Sequence, residues 1–322
     1  MYETITWEVR EHTGILTLNR PDRLNALDIQ MREEIADCVR KAEYDTDIWT
    51  LIVTGTGRGF CSGADLKARA EAENTGGGNS ILTQPMFDAG YYYPIAFGEI
   101  SKPVIAAVNG VTRGAGNNMA FAADFRIASD KATFGCNFVE RGLMAEASAY
   151  YLPRLVGMAI ATEICMLGEP FDAAQAKAWG VVNKVVTHDT LMDEAMALAR
   201  KLNSKAPIAV RMTKQALHRA HDISAEQFID MQNTMNTKLR YTADAKEALA
   251  ALPKNEPEKA LQEIHDWIVS VAAVEDFKPE RRAEIYLLLD ETALPFHRKL
   301  TRDYVATPNI TKTQEARLWK LR

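Results

Sequence analysis

The stretch NGVTRGAGNNMAFAADFRIAS, residues 109–129, constrains the fold more than any other part of the chain. An apolar segment, KPVIAAV, runs into a turn with two glycines, which opens onto a helical pattern and then onto a second apolar segment, FRIAS. This order of strand, turn, helix and strand is typical of α/β proteins. Backbone N–H groups at such a helix N-terminus stabilise an anion or a developing negative charge. The turn contains no acid or base, so a proton-transfer group has to come from another segment.

The remaining segments extend the α/β pattern. TITWEVR and GILTLNRP predict two strands, and Gly14 between them suits a hairpin loop. DIQMREEIADCVRKAEYD predicts a helix with Asp28 as its N-cap, and WTLIVTGTG predicts a buried strand. Helical patterns dominate after Ser148 and break near Pro253. We therefore expect an α/β core followed by a helical C-terminal region.

Composition excludes several classes of protein. The 322 residues carry a net charge of −5, and the basic residues are scattered, which argues against nucleic acid as a partner. Four cysteines form no C-x-x-C pair, so no zinc site or redox dithiol is indicated, and we expect no metal or redox cofactor. No apolar run reaches the length of a membrane span. These features predict a soluble, cytoplasmic protein without membrane contact.

Residues 68–94 predict a long loop, which contains the segments NTGGGNS and GYYYP. Its aromatic side chains could close over a hydrophobic or ring-bearing ligand, or they could pack against a neighbouring subunit. The sequence leaves both interpretations open.

Six blocks occur in a characteristic order: NRPDRLNALD, GTGRGFCSGADLK, KPVIAAVNGVTRGAGNNMAFAADFRIAS, ATFG, YLPRLVGMAIATEICMLGEPFDAAQAKAWGVVNKVV and KAPIAVRMTKQAL. In this order they resemble the crotonase, or enoyl-CoA hydratase/isomerase, superfamily over residues 1–252. The resemblance implies a crotonase-like ββα spiral core in residues 1–200 and a helical oligomerisation region in residues 201–254. Residues 255–322 match none of the blocks, and their amphipathic pattern predicts a helical extension.

The resemblance also implies an acyl-CoA thioester as the substrate, with coenzyme A carried by the substrate rather than by a separate cofactor. The thioester oxygen would be held by the backbone N–H groups of Ala64 and Ala115. The residues that match the CoA-binding positions are Arg23, Cys61, Ser62 and Lys67. Members of the superfamily assemble as trimers or pairs of trimers, so we expect a homotrimer or a hexamer.

The acid and base are less readily assigned. Hydratases of the superfamily use two glutamates, and the matching positions here are Asn118 and Phe138, neither of which transfers a proton at neutral pH. Glu146 lies where some members carry an acid facing the acyl chain. We expect it in an apolar pocket with a raised pKa, and its expected neighbours are Phe138, Leu143, Met144 and Ala145. Glu140 is the second candidate. Asn118 could orient a water or the thioester, or it could be a buried polar residue.

Our first interpretation is an acyl-CoA lyase or isomerase in which Glu146 moves a proton to and from an enolate. A C–C bond hydrolase or lyase acting on a β-keto or β-hydroxy acyl-CoA would use the same enolate, and a non-catalytic acyl-CoA-binding protein would also lack both glutamates. A dinucleotide-binding fingerprint is disfavoured because its third glycine would fall at Met119.

The cysteines, the histidine pair on one helix and Asp65 are expected to have structural roles. Cys61 and Cys136 are expected to be buried thiols rather than nucleophiles, since no histidine lies near them in sequence. His218 and His221 share a helical face but lack a third metal ligand. Asp65 is expected to brace the loop that follows Ala64.

Overall fold

The computed structural model describes residues 2–68 and 93–251, and the side chains of these residues except 93–95 and 248–251. The chain divides into two compact units, Met1–Ala248 and Leu249–Arg322. The predicted loop over residues 68–94, including GYYYP, and the predicted extension over residues 255–322 lie almost entirely outside the described residues.

In the described part of the chain, the larger sheet contains six strands, which lie side by side in the following order. Its strands are β1 (Ile5–Arg10), β2 (Thr13–Leu18), β3 (Thr50–Gly55), β5 (Val104–Val108), β7 (Phe125–Ser129) and β10 (Lys184–Val186). Only the β1–β2 pair is antiparallel, and every later pair is parallel. The predicted α/β class is therefore confirmed, with the chain crossing over between parallel strands.

The smaller sheet positions the predicted site. Its strands, in sheet order, are β4 (Gly59–Cys61), β6 (Val111–Thr112), β8 (Thr133–Phe134) and β9 (Phe171–Asp172). The first three are parallel. Carboxyl ends of parallel strands meet at one edge, so the segments that follow β4, β6 and β8 are brought together there. These are the segments that contain Ala64, Ala115 and Phe138.

Helices cover both faces of the larger sheet. The α-helices whose bounds lie within the described residues are α1 (Ile29–Tyr44), α2 (Tyr93–Glu99), α3 (Ala115–Ala122), α4 (Ser148–Leu167), α5 (Ala173–Ala178), α6 (Leu191–Asn203), α7 (Pro207–Arg219), α8 (Ala225–Leu239) and α9 (Ala243–Ala251). On one face, α6 packs its small and aliphatic side chains against Ile52, Ile105 and Ile127. On the other face, α1 and α3 contribute to the larger apolar core. Helix α3 is buried over its whole length.

The first hairpin differs from the sequence-based expectation. Its two turn residues are Glu11 and His12, which take positive φ values of 48° and 62°, as a tight two-residue hairpin turn requires. Gly14 is not in the turn but within β2. A Cβ at Gly14 would lie 2.3 Å from Cη2 of Trp7 on the paired strand. A side chain at this position would have to displace the indole ring that covers the glycine, and the local pattern does not encode this contact.

The end of α3 is fixed by a buried charge cluster. Asp124, just after this helix, accepts a hydrogen bond of 2.7 Å from the Val104 N–H and pairs with Lys214 Nζ at 2.8 Å. Lys214 also donates to the carbonyl oxygens of Phe97 and Lys102. His218 Nε2 lies 3.0 Å from Asp124 Oδ1. On the predicted helical face that carries His218 and His221, His218 therefore contacts the carboxylate of the Asp124–Lys214 ion pair.

Replacing Lys214 with methionine should destabilise the fold. The variant leaves Asp124 buried without its main cation, and removing one partner of a buried pair costs about 3 kcal/mol or more in unfolding free energy. Burial acts to raise the pKa of Asp124, but His218 and Lys214 outweigh it and hold this pKa below its ordinary value. A carboxyl group whose pKa is lower in the folded than in the unfolded protein stabilises the fold above about pH 4. This stabilisation is lost as the pH falls through the pKa that the group has in the folded protein.

Urea unfolding should therefore show a lower unfolding free energy for Lys214→Met than for wild type. This difference in free energy should be largest at pH 7 and should become smaller below about pH 4. Lys238→Met, at an exposed position on α8, is the control and should change the unfolding free energy by less than about 0.5 kcal/mol. Equal stability of Lys214→Met and Lys238→Met at pH 7 would contradict the assignment.

Candidate active site

The glycine turn forms the N-terminus of α3. Gly114 takes φ 48° and ψ −119°, and the helix begins at Ala115. The Gly116 and Asn117 N–H groups donate to the carbonyl oxygens of Arg113 and Gly114 at 2.8 and 2.9 Å, which closes the first turn. Ala115 N–H therefore stands at the positive end of the helix dipole, at the edge where β6 ends.

The second predicted donor, Ala64, lies on a segment paired with residue Leu27. Leu27 N–H donates to the Gly63 carbonyl at 2.8 Å, and Asp65 N–H donates to the Leu27 carbonyl at 3.0 Å. In such a parallel bridge the N–H of the middle residue points away from its partner strand. The Ala64 N–H accordingly points away from Leu27 and donates to no acceptor within the described part of the chain.

The two donor segments are in contact. Gly63 has φ 99°, and a Cβ built on it would lie 3.4 Å from the Ala115 nitrogen and 3.0 Å from the Arg113 oxygen. A Cβ on Gly116 would lie only 2.2 Å from the carbonyl oxygen of Cys61. The absence of side chains at Gly63 and Gly116 allows the backbone after β4 to lie directly against the first turn of α3. The structure thus brings Ala64 and Ala115, both predicted as oxyanion donors, onto adjoining segments.

One turn beyond Ala115, Asn118 joins the predicted acid to the helix. Asn118 is buried, and its Nδ2 donates to Glu146 Oε2 at 2.8 Å. Its Oδ1 accepts two hydrogen bonds from Ser148, one from the backbone N–H at 2.8 Å and one from Oγ at 2.6 Å. Two of the three predicted catalytic side chains, Asn118 and Glu146, are therefore in direct contact.

Phe138 forms an apolar wall beside the turn. Its ring is buried, and its Cζ would lie 3.6 Å from a Cβ built on Gly114. A phenyl ring offers no group that holds or activates water. The side of the turn that Phe138 covers is therefore apolar.

The expected apolar enclosure of Glu146 is only partly present. Phe138 and Ala145 are buried, but Leu143 and Met144 are 49% and 69% exposed. Glu146 itself is exposed. Gly142 ends the preceding turn with φ 69°, after which the chain runs along the surface. A pocket built from all four neighbours was wrong, because adjacency in sequence does not place consecutive loop side chains on one face. The defined partner of Glu146 is the amide of Asn118.

Glu140 is not part of this network. It lies in a short 3-10 helix, Val139–Arg141, and is exposed. No hydrogen bond or ion pair joins its side chain to another described residue.

The predicted CoA-binding residues lie around the segment that carries Ala64. Ser62 N–H donates to the Leu24 carbonyl at 3.0 Å, and Ser62 Oγ donates to the Arg23 carbonyl at 3.2 Å. The Arg23 and Lys67 side chains are exposed and can reach a ligand in solvent. Cys61 is buried, and burial raises the pKa of its thiol to about 12. The residue is 0% exposed, so its thiol is unsuited to nucleophilic chemistry.

Asp65 braces the donor segment, as the sequence indicated. Its Oδ2 pairs with Arg20 Nη2 at 2.9 Å, and its Oδ1 accepts from the Ala68 N–H at 3.2 Å. Burial acts to raise the pKa of Asp65, but the Ala68 N–H and Arg20 outweigh it and lower the pKa. Arg20 also pairs with Asp28 at 3.2 Å. No local pattern singles out Arg20, since its two carboxylate partners are 8 and 45 positions away.

Ser148 was also missed by the sequence analysis. It stands at the first position of α4, where a serine is ordinarily taken for a helix-capping residue. The local signal is only that its hydroxyl begins a mostly apolar helix. Its partner, Asn118, is 30 positions away.

Residues 2–68 and 93–251 contain no group of three or more His, Cys, Asp or Glu side chains that could hold a metal ion. Over the same ranges, no helix combines the length and apolarity needed to cross a bilayer.

Comparisons with known proteins place this site in a family. Residues 9–259 match the enoyl-CoA hydratase/isomerase family model. The chain is 35% identical over 267 residues to a 1,2-epoxyphenylacetyl-CoA isomerase from Escherichia coli K12, covering 80% of this chain and 98% of the relative. It is 40% identical over 210 residues to a mevalonyl-coenzyme A hydratase from Aspergillus fumigatus, covering 64% of this chain and 75% of the relative.

Solved structures agree with the sequence comparisons. A crystal structure of an enoyl-CoA hydratase from Bacillus anthracis superposes with a TM-score of 0.71 at 30% identity, covering 77% of this chain and 95% of that one.

The C-terminal part of the chain matches a second family model. Residues 243–322 match the N-terminal domain of the cyclic-di-GMP receptor FimW.

Fold and comparisons together define an acyl-CoA-transforming enzyme with a crotonase fold. The chain belongs to the enoyl-CoA hydratase/isomerase family. Relatives of both reaction types match it, so their names leave open which of the two reactions it catalyses.

Proposed function

We propose that this enzyme forms the enolate of an acyl-CoA thioester and moves a proton on it with Glu146, so that a double bond migrates without net addition of water. The observation that carries the proposal is the hydrogen bond from Asn118 on α3 to Glu146, beside a turn that Phe138 covers with an apolar ring. The site thus has one carboxylate joined to the turn where a two-glutamate hydration mechanism needs two.

The negative charge of the enolate would be stabilised by backbone donors. Ala64 and Ala115 N–H lie on adjoining segments, and α3 adds the positive end of its dipole. Losing one such donor typically costs about 3–4 kcal/mol of transition-state stabilisation. The glycines at 63 and 116 support the assignment, because larger residues would separate the two segments.

Proton transfer is assigned to Glu146, with Glu140 as the second candidate. An amide does not exchange a proton at neutral pH, so Asn118 would orient the carboxylate rather than act as a base. The exposure of Glu146 leaves it accessible to a bound thioester.

Coenzyme A would bind along the segment after β4. Arg23 and Lys67 would contact its phosphates through their exposed cationic groups, and the backbone of Cys61 and Ser62 would line the adenine side. No further cofactor is needed for proton transfer to an enolate.

Assembly and location follow from the same proposal. Residues 1–200 would form the catalytic core, residues 201–254 would join subunits into a homotrimer or hexamer, and residues 255–322 would form a separate extension. The enzyme would act in the cytoplasm in fatty acid metabolism, without nucleic acid or membrane partners. Light scattering should give about three or six times the chain mass of 35.9 kDa.

The reaction can be tested with a panel of saturated, enoyl, dienoyl, ring-bearing and β-keto acyl-CoAs incubated in D2O. Mass spectrometry of the products should show that a double bond has migrated and that deuterium has been incorporated at carbon. We expect no product that has gained a hydroxyl group. A hydroxyacyl-CoA as the main product would replace this proposal with hydration, and a shortened acyl chain would replace it with C–C cleavage. Binding without exchange of any thioester would favour a non-catalytic binding protein.

A further inference from the structure

We infer that Ser148 is a positioning residue, which fixes the orientation of the Asn118 amide and through it the carboxylate of Glu146. The inference rests on the proposed role of Glu146. It adds a residue whose side chain neither touches the substrate nor carries the proton.

The geometry of the three side chains is specific. Ser148 and Asn118 are 0% and 1% exposed, so water does not compete for their hydrogen bonds. Ser148 presents two donors, its backbone N–H and its hydroxyl, to the single oxygen Oδ1 of Asn118 at 2.8 and 2.6 Å. The other end of the amide, Nδ2, lies 2.8 Å from Glu146 Oε2.

This arrangement determines which way the amide faces. A backbone N–H can only donate, so the atom of Asn118 that faces Ser148 has to be the oxygen. The NH2 group then faces Glu146, where it donates to the carboxylate. If the amide were reversed, its oxygen would face the carboxylate oxygen and two acceptors would repel each other. The hydroxyl of Ser148 adds a second donor that favours the productive orientation.

Ser148 also restrains the backbone that carries Glu146. Glu146 has φ 44°, in the left-handed region that non-glycine residues rarely adopt because it strains the backbone. Two residues later, the Ser148 N–H is held by Asn118, and the Ala149 N–H donates to the Glu146 carbonyl at 3.1 Å. These bonds hold the chain directly after the strained residue.

The thiol next to Ser148 adds no charge to the cluster. The hydrogen bond that the Cys136 thiol makes to Cys165, together with burial, raises the pKa of Cys136 above its ordinary value. Cys136 therefore stays neutral, and Asn118 is the group through which Ser148 acts on Glu146.

The test measures α-proton exchange of 3-hexenoyl-CoA and phenylacetyl-CoA in D2O. For Ser148→Ala, which loses the hydroxyl but keeps the N–H, we expect the exchange rate at saturation to fall about 3- to 10-fold. The thioester concentration that gives half of the maximal exchange rate should stay within twofold of the wild-type value. Hydrogen bonding to a carboxylate favours its charged form, so the acid limb of the pH–rate profile should move to higher pH. Ser148→Thr, which retains the hydroxyl, should recover most of the rate.

Asn118→Asp is the stronger variant of the same test. It keeps the size of the side chain but replaces the donor to Glu146 with an acceptor, and we expect a loss of more than 100-fold. Ser204→Ala, at an exposed position after α6, is the control and should match wild type. A Ser148→Ala rate and pH profile equal to wild type would overturn the inference, as would a loss confined to binding or one that Ser148→Thr fails to recover.

Failure of the proposed function gives a different result. In that case Glu146→Gln would exchange at the wild-type rate, whatever Ser148→Ala does. If Glu146→Gln is inactive and Ser148→Ala behaves as wild type, only the positioning role is wrong.

Discussion

Glu146→Gln should lower turnover about 10²- to 10⁴-fold, the contribution of a positioned general acid or base. Glutamine has the same size and accepts the hydrogen bond from Asn118 Nδ2 through its own oxygen, so the loop should keep its shape. What is lost is the group that takes the proton. The measurement is kcat and KM with the thioester that exchanges fastest in the panel.

The matched control is Glu163→Gln, the same chemical change at an exposed position on α4. It should leave kcat within twofold of wild type. Glu140→Gln tests the second candidate. A large loss in Glu140→Gln with little loss in Glu146→Gln would transfer the proton-moving role to Glu140.

Gly116→Ala should have the second large effect. The added Cβ would lie 2.2 Å from the Cys61 carbonyl oxygen and 2.9 Å from the Cys61 Cβ, and a backbone atom cannot move aside as a flexible side chain can. Helix α3 has to separate from β4, which misaligns Ala64 and Ala115. We expect turnover to fall at least 100-fold and the unfolding free energy to fall by about 1–3 kcal/mol.

Gly180→Ala serves as the control for this substitution. Gly180 has φ 81°, and a Cβ there would meet nothing within 4 Å. The variant should lose about 1 kcal/mol from backbone strain alone and keep its activity. A Gly116→Ala enzyme with wild-type turnover would show that close contact between β4 and α3 is not needed for catalysis.

The sequence predicted what is encoded locally. Asp28 was expected to cap α1, and its side chain accepts from the Met31 N–H at 2.8 Å, three residues along the chain. Strand β5 (VIAAV) and the centre of β3 (LIV) are continuous apolar runs, which is typical of buried parallel strands. The crotonase fold was predicted from ordered blocks and is confirmed by family and structural matches.

What the sequence could not predict depends on distant contacts. Gly14 was assigned to a turn because its requirement comes from Trp7 on the opposite strand. Glu146 was given four sequence neighbours, yet its hydrogen-bonding partner, Asn118, is 28 positions away. Ser148 and Arg20 were missed for the same reason. Pairwise contacts of this kind leave no periodic pattern in one sequence.

We propose that the turn at Gly114–Gly116 and the segment at Ala64 together hold a thioester carbonyl. Isotope-edited infrared spectroscopy of an acyl-CoA labelled with ¹³C at the carbonyl measures this directly. Two strong donors polarise the C=O bond, so we predict that its stretching band moves to lower wavenumber when the thioester binds to the wild-type enzyme, and that the shift is lost in Gly116→Ala. A bound carbonyl band at its position in water would contradict the account.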